Sequence, residues 1–142
     1  MPREVSHLLI GAVYHPPKAN NGEMNDYLLT VLDCAHRENP SLEIMLFGDF
    51  NQLPDSQERS YRLAQIVTIA TRGSAILYKI FTDVKSLYQT PLMIPPVGSS
   101  DHNVVLLQPL AAPNRPRGRK QTICRCSTYS NGKAMLLPPK EL

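Results

Sequence analysis

An acid and an amide stand two residues apart, at Asp49 and Asn51, directly after the apolar run 44–47 and Gly48. Residues two apart in an extended chain point to the same side, so Asp49 and Asn51 are expected to project together into a cleft while Phe50 turns into the core. A carboxylate beside an amide at the carboxyl end of a buried strand is where α/β sheets place their chemistry. The alternative interpretation of these four residues is a strand followed by a polar turn.

Two further candidates lie at the ends of apolar stretches. Tyr14 closes the stretch 5–14, and Asp101 with His102 opens the stretch 103–108. Each of these residues taken singly is more often structural than functional, and their joint occurrence in this order favours a site. If the strands share one sheet, the three places converge on one rim. The other histidines have no such neighbours and are interpreted as ordinary core or surface residues: His7, His15 and His36.

The elements that would position these residues alternate between strand and helix. A strand over 5–14, stopped by two prolines, precedes a helix over 24–38 with apolar residues on one face, and the strand into Asp49 follows. A strand–helix–strand unit predicts an α/β fold, a sheet covered by helices. Further elements are expected downstream: a short helix over 57–65 and strands over 66–70, 75–82, 88–94 and 103–108.

The composition is that of one globular domain with a core. Hydrophobic residues make up 42% of the 142 and charged residues 19%. Neither a membrane span nor a secretory signal is visible, so an intracellular location is expected, with the nucleus as one candidate compartment. An odd number of cysteines without metal-ligand spacing predicts free thiols in a reducing compartment and no zinc site: Cys34, Cys124 and Cys126.

The net charge of +3 is unevenly distributed. Residues 1–108 hold 8 Lys and Arg against 11 Asp and Glu, whereas residues 109–142 hold 7 against 1. An acidic globular part suits a divalent cation. The proline-rich, basic segment 111–142 is expected to be a disordered tail after a domain over 1–110. Its basic cluster is a candidate for weak, salt-dependent nucleic-acid binding: Arg115, Arg117, Arg119 and Lys120.

Four motifs carry a family resemblance: VYHPP (13–17), GDFN (48–51), TRGSAILYKIFT (71–82) and SDHNVV (100–105). Through them, residues 5–108 resemble the carboxyl-terminal half of the endonuclease/exonuclease/phosphatase superfamily, and most closely the endonuclease domains of non-LTR (LINE-like) retrotransposons. The resemblance implies a four-layered α/β sandwich, present here in part as one sheet with covering helices. It also implies Mg²⁺-dependent cleavage of phosphodiester bonds, with DNA as the substrate in the nearest relatives.

The resemblance also implies roles for single residues. Asp49 would take a proton from the attacking water or hold it in line, and Asn51 would donate a hydrogen bond to the developing phosphorane or help hold the nucleophile. His102 would pair with the scissile phosphate. Asp101 stands where the family has a carboxylate near the metal, and Tyr14 would give its phenolic hydrogen to a phosphate oxygen.

Two departures from the family pattern predict that this chain alone is inactive. The family's principal metal-binding glutamate and an asparagine precede the region matched here. Tyr78 replaces an aspartate that orients the histidine of the SDH motif. Loss of such a hydrogen-bonding partner commonly lowers activity or metal affinity by roughly 10- to 100-fold. Asp83 is not expected to substitute, because it is five residues further along an extended strand and faces the other side.

The missing half also predicts an exposed apolar sheet face, and with it self-association or a partner, either the amino-terminal half or a reverse transcriptase region. The residues expected to be exposed, themselves or through their neighbours, are Leu8, Ile10, Ile44, Leu46, Ile76 and Val104. Two alternatives to a nuclease fragment stay open. One is a non-catalytic remnant that binds nucleic acid through its basic tail, and the other is a decayed element without function.

Overall fold

One long helix and a set of short strands form the structure, which is a computed structural model. It describes residues 5–55, 61–110, 126–128 and 134–136, the last two as strand backbone. The elements in chain order are β1 Leu8–Tyr14, α1 Asn21–Glu38, β2 Glu43–Asp49, β3 Ala64–Gln65, β4 Tyr78–Thr82, a 3₁₀ turn Lys85–Leu87, β5 Leu92–Ile94, β6 Val104–Leu106, β7 Cys126–Thr128 and β8 Ala134–Leu136.

The central sheet has four strands in the order β1-β2-β4-β3. β1 and β2 run parallel, joined by α1 as the crossover, and β2 pairs antiparallel with β4, which also pairs antiparallel with β3. β5 and β6 form a separate antiparallel pair, as do β7 and β8. The α/β class is therefore confirmed. The four-layered sandwich stays a prediction.

The helix begins three residues before its predicted start because Asn20 caps it. The Asn20 side chain accepts hydrogen bonds from the backbone N–H groups of Gly22 and Glu23, which would otherwise lack partners in the first turn. Leu28 and Leu32 then recur on the face that packs against the sheet. The helix ends at Glu38, ahead of Asn39 and Pro40.

The main core lies between α1 and the sheet. Its buried members are Leu32, Ile44, Leu46, Phe50, Leu53, Leu63 and Phe81. The rings of Phe50 and Phe81 meet edge to face with centroids 5.0 Å apart. Phe50 is fully buried, as its position between Asp49 and Asn51 predicts.

The opposite face of the sheet is covered only in part. Met45, Val67 and Ile80 are buried there beneath partly buried residues that include Val105 and Leu107. Near β1 the cover is missing: Ile10 is 59% and Phe47 40% exposed. The predicted exposure is thus confirmed for Ile10 and Val104 themselves and for Leu46 through its neighbour Phe47. Ile44 and Leu46 themselves are buried, because their side chains point toward α1.

Strand boundaries after β2 differ from the predicted ones. The predicted strand over 75–82 begins only at Tyr78, after a turn closed by a bridge between Arg72 and Ala75. The strand nearest the one predicted over 66–70 is Ala64–Gln65. Residues 57–60 of the predicted helix over 57–65 lie outside the described residues, and the helix prediction is wrong for its last two residues, which form β3. So do most of the 111–142 segment and its basic cluster, Arg115, Arg117, Arg119 and Lys120.

Two smaller predictions concern thiols and membranes. Cys34 is a free thiol, whereas the side chains of Cys124 and Cys126 are outside the described part of the chain. Among the described residues, no helix combines the length and the apolar content that crossing a bilayer requires.

Candidate functional site

Tyr14, Asp49 and Tyr78 lie side by side on three neighbouring strands. Tyr14 is in register with Asp49 across the parallel pair, and Asp49 is in register with Tyr78 across the antiparallel pair. Residues in register on adjacent strands point to the same face of the sheet. The three side chains accordingly line one cavity of about 650 Å³ on the face opposite α1.

Gly48 brings β2 very close to β1 just before Asp49. Its φ of +149° is a backbone conformation that side chains rarely allow, and a Cβ there would lie 1.8 Å from the carbonyl oxygen of Val13. The glycine of the GDFN motif is therefore required by the close approach of two strands. This close approach places the backbone of Asp49 beside β1.

Asn51 does not continue the strand. Its φ is +45°, in the left-handed region, so the alternation of an extended chain ends at Asp49 and the expectation based on it is wrong for Asn51. The Asn51 amide nitrogen instead donates to the carbonyl oxygen of His15 at 2.7 Å, and its backbone N–H donates to Oδ1 of Asp49 at 3.2 Å. Asn51 thus ties the loop after β2 to the chain that follows Tyr14.

His102 joins the site through Tyr78. Their ring centroids are 4.6 Å apart with the planes inclined by 38°, and the His102 side chain is only 14% exposed. Its Nδ1 is buried without a hydrogen-bond partner among the described residues. Tyr78 therefore gives this imidazole a packing surface at the place where the resemblance implies a hydrogen-bonding carboxylate.

The Asp101 carboxylate is already engaged by two neighbours. Oδ2 forms an ion pair with Nη2 of Arg72 at 2.5 Å, and Oδ1 is 3.6 Å from Nε2 of His102. Arg72 was not among the predicted site residues. The only available signal was its place in the TRG turn, which gives no indication that the turn lies beside the SDH loop.

Thr71 connects the turn, the start of β4 and the His102 loop. Its fully buried hydroxyl accepts hydrogen bonds from the backbone N–H groups of Leu77 at 2.9 Å and Tyr78 at 3.0 Å. Its carbonyl oxygen accepts the N–H of Asn103 at 2.8 Å. Tyr78 and His102 are held near each other through these three bonds.

A second buried residue, Lys79, holds the loop that follows Asn51. Its ammonium group donates to the carbonyl oxygen of Leu53 at 2.9 Å and forms an ion pair with Asp55 at 2.5 Å. A lysine this buried is normally paired, as here. Lys79 was not predicted either, because a single lysine in an apolar strand carries no local signal for its partner.

The magnesium prediction concerns the carboxylates among the described residues. They include no group of three or more histidine, cysteine, aspartate or glutamate side chains placed to hold a metal ion. Asp101, the residue implied to lie near the metal, has its carboxylate paired with Arg72. Magnesium binding therefore stays a prediction, and it requires a further carboxylate from outside these residues.

Asp83 does not take the place of an acceptor for His102. Its carboxylate accepts the N–H of Ile44 at 2.9 Å near the start of β2.

The arrangement offers a short list of chemical capabilities. A carboxylate at Asp49 can accept a proton, the exposed phenol of Tyr14 can donate a hydrogen bond, and the imidazole of His102 can pair with an anion. Phe47 and Val104 give the neighbouring cavity an apolar wall. No model of a known protein family matches the chain, and neither the characterised proteins nor the solved structures compared with it include a match.

Proposed function

We propose that residues 5–110 carry the carboxyl-terminal half of a phosphodiester-cleaving site of the kind found in non-LTR retrotransposon endonucleases. The observation that supports it best is the row Tyr14, Asp49 and Tyr78, with His102 packed on its end. Tyr14 and His102, 88 positions apart in the sequence, are connected through this row, because His102 packs on the Tyr78 ring. That convergence is what a single phosphate group would need.

In this proposal a phosphate sits between the phenol of Tyr14 and the imidazole of His102. Asp49 takes the proton of the attacking water as general base. Asn51 uses one of its two amide hydrogens on the His15 carbonyl, so one hydrogen remains as a donor to a phosphate oxygen and the side-chain oxygen remains as an acceptor for the attacking water. The apolar wall of the cavity beside Asp49 lowers the local dielectric and strengthens each of these interactions.

The proposal is for half of a site because two functions are not supplied by the described residues. There is no carboxylate cluster for a metal among them, and Tyr78 gives His102 no hydrogen-bond acceptor. We propose that a segment equivalent to the amino-terminal half of such an endonuclease, from outside residues 5–110, supplies the metal-binding glutamate. The chain alone is then expected to leave DNA uncut.

The test is a plasmid-nicking assay in Mg²⁺, with the chain alone and mixed with a separately produced amino-terminal half of a non-LTR retrotransposon endonuclease. The mixture is expected to nick, and Asp49→Asn is expected to reduce its rate by about 10²- to 10⁴-fold. Asp26→Asn, an exposed carboxylate on α1, is the matched control and should have no effect. Nicking by the chain alone that depends on Asp49 would overturn the half-site, and no cleavage by a mixture that associates would overturn the nuclease assignment.

A second candidate function rests on charge. The segment 109–142 carries seven basic residues against one acidic residue, which favours weak binding to polyanions without cleavage. Retention on immobilised DNA at low salt should then be lost when residues 111–142 are removed. Unchanged retention of the truncated chain would dispose of this function and leave the nuclease half-site untouched.

A further inference from the structure

We infer that the outer edge of β1 pairs with β1 of a second copy of this chain, antiparallel, so that the two central sheets join into one. The inference stands on the strand geometry of β1 and does not depend on the proposed function. β1 is the first strand in the order β1-β2-β4-β3, and β2 is its only strand neighbour among the described residues.

The backbone groups that face this edge follow from the hydrogen bonds at the two ends of β1. The backbone carbonyl oxygen of His7 accepts the N–H of Glu43 at 3.1 Å, and the backbone N–H of His15 donates to the carbonyl oxygen of Asp49 at 2.8 Å. In a parallel pair such bonds come from every second residue, so the odd-numbered residues turn their backbone toward β2. The residues whose N–H and C=O groups point outward are therefore Leu8, Ile10, Ala12 and Tyr14.

This edge lacks the devices that usually prevent strand addition. Natural edges are kept short or carry lysine, proline or a bulge. β1 spans seven residues, LLIGAVY, without a charge or a proline, and prolines follow only at Pro16 and Pro17. The opposite edge of the same sheet, β3, is two residues long. The β1 edge is also flanked by exposed apolar side chains, with Ile10 59% and Tyr14 64% exposed.

The sequence of β1 favours a second copy as the added strand because it is self-complementary. With a two-fold axis at Gly11, Ile10 lies opposite the partner's Ala12 and Leu8 lies opposite the partner's Tyr14. Each pair sets a large side chain beside a smaller one on the exposed face, and all four outward-facing residues enter hydrogen-bonded pairs.

Other antiparallel registers satisfy fewer groups. A shift of two residues in one direction leaves Tyr14 without a partner inside the strand, and a shift in the other sets Leu8 opposite the partner's Pro16, which has no N–H. On the α1 side of the sheet, the axis falls at Gly11, so no side chain stands between the two copies there. The two-fold axis at Gly11 is thus the register that the strand itself selects.

The first experiment measures mass by analytical ultracentrifugation of the full chain from about 1 μM to about 100 μM. Wild type is expected at twice the 15.9 kDa chain mass. Ala12→Pro removes an outward N–H in each copy and should weaken the dimer by roughly thirtyfold or more, since two hydrogen bonds are lost. Ala12→Thr keeps the N–H and should leave the dimer intact.

A charge-based pair of variants tests the same edge through its side chains. Ile10→Lys should dissociate the dimer, whereas Ile69→Lys, an equally apolar exposed residue outside the strands, should not. Far-UV circular dichroism of each variant establishes that dissociation is not unfolding. A wild-type chain that stays monomeric, or a dimer that survives both Ala12→Pro and Ile10→Lys, would overturn the inference.

The register is tested by disulfide formation in a background with Cys34, Cys124 and Cys126 changed to serine. The double variant Ile10→Cys/Ala12→Cys should cross-link into a covalent dimer, since its two cysteines face each other across the axis. The single variants Ile10→Cys and Ala12→Cys report the two shifted registers and should stay uncross-linked. Efficient cross-linking by either single variant would contradict the register centred on Gly11.

Discussion

The ring of Tyr78 packs against the imidazole of His102, with centroids 4.6 Å apart, and leaves Nδ1 of His102 buried without a hydrogen-bond partner among the described residues. An aromatic contact fixes the plane of the imidazole through packing. It cannot select the tautomer, because selection requires an acceptor at one ring nitrogen. The His102 ring is therefore held by packing against Tyr78, but its Nδ1 lacks a hydrogen-bond partner among the described residues.

Tyr78→Asp is expected to supply the hydrogen-bond acceptor that His102 lacks. A carboxylate at residue 78 would accept a hydrogen bond from His102, and nicking by the mixture with an amino-terminal half should rise by roughly 10- to 100-fold. Tyr78→Phe keeps the ring and offers no acceptor, so it should match wild type. An equal rise in both variants would show that loss of the phenolic hydroxyl, and not a new hydrogen bond to His102, is responsible.

Gly48→Ala is expected to destabilise the fold by about 3 kcal/mol or more, because the added Cβ would meet the Val13 carbonyl in a backbone conformation that alanine avoids. Gly73→Ala is the matched control. Gly73 also has a positive φ, +55°, but a Cβ there would have no neighbour within 4 Å, so the cost should be about 1 kcal/mol. Urea unfolding of both variants measures the difference, and equal costs would contradict the close approach of β1 and β2.

Thr71→Val should lower the free energy of unfolding by about 1 to 3 kcal/mol, because two partly buried backbone N–H groups lose their acceptor while the side-chain shape is kept. Hydrogen exchange at the amides of Leu77 and Tyr78 should accelerate with it. Thr71→Ser keeps the hydroxyl and should protect both amides. Unchanged exchange in Thr71→Val would mean that other groups satisfy them.

Stability should fall at high pH through Tyr61. Burial, and next a hydrogen bond to Asp33 together with that carboxylate's charge, raises the pKa of the Tyr61 phenol from 10.0 to about 12. The folded state therefore holds this proton more tightly than the unfolded state. The resulting stabilisation is complete below pH 10 and is lost as the pH rises toward 12. Tyr61→Phe should flatten this part of the pH dependence of urea unfolding, and an unaltered slope would contradict it.

The sequence by itself determined the first half of the fold. The apolar run that ends at Tyr14, the helix that ends before Pro40, and the strand into Asp49 follow from local periodicity and local stop signals. The order of the candidate residues along the chain was equally visible. These features depend on neighbours within a few positions, which is why they could be predicted without coordinates.

The tertiary structure decided how the polar groups pair and which apolar groups are covered. Asn51 turns to the His15 carbonyl, Arg72 engages Asp101, and Thr71 delays the start of β4 to Tyr78. Which face of β2 meets α1 was settled in the same way, burying Ile44 and Leu46 and exposing Phe47. Each of these outcomes depends on groups from different elements that only packing brings together, so no local pattern in the sequence could specify them.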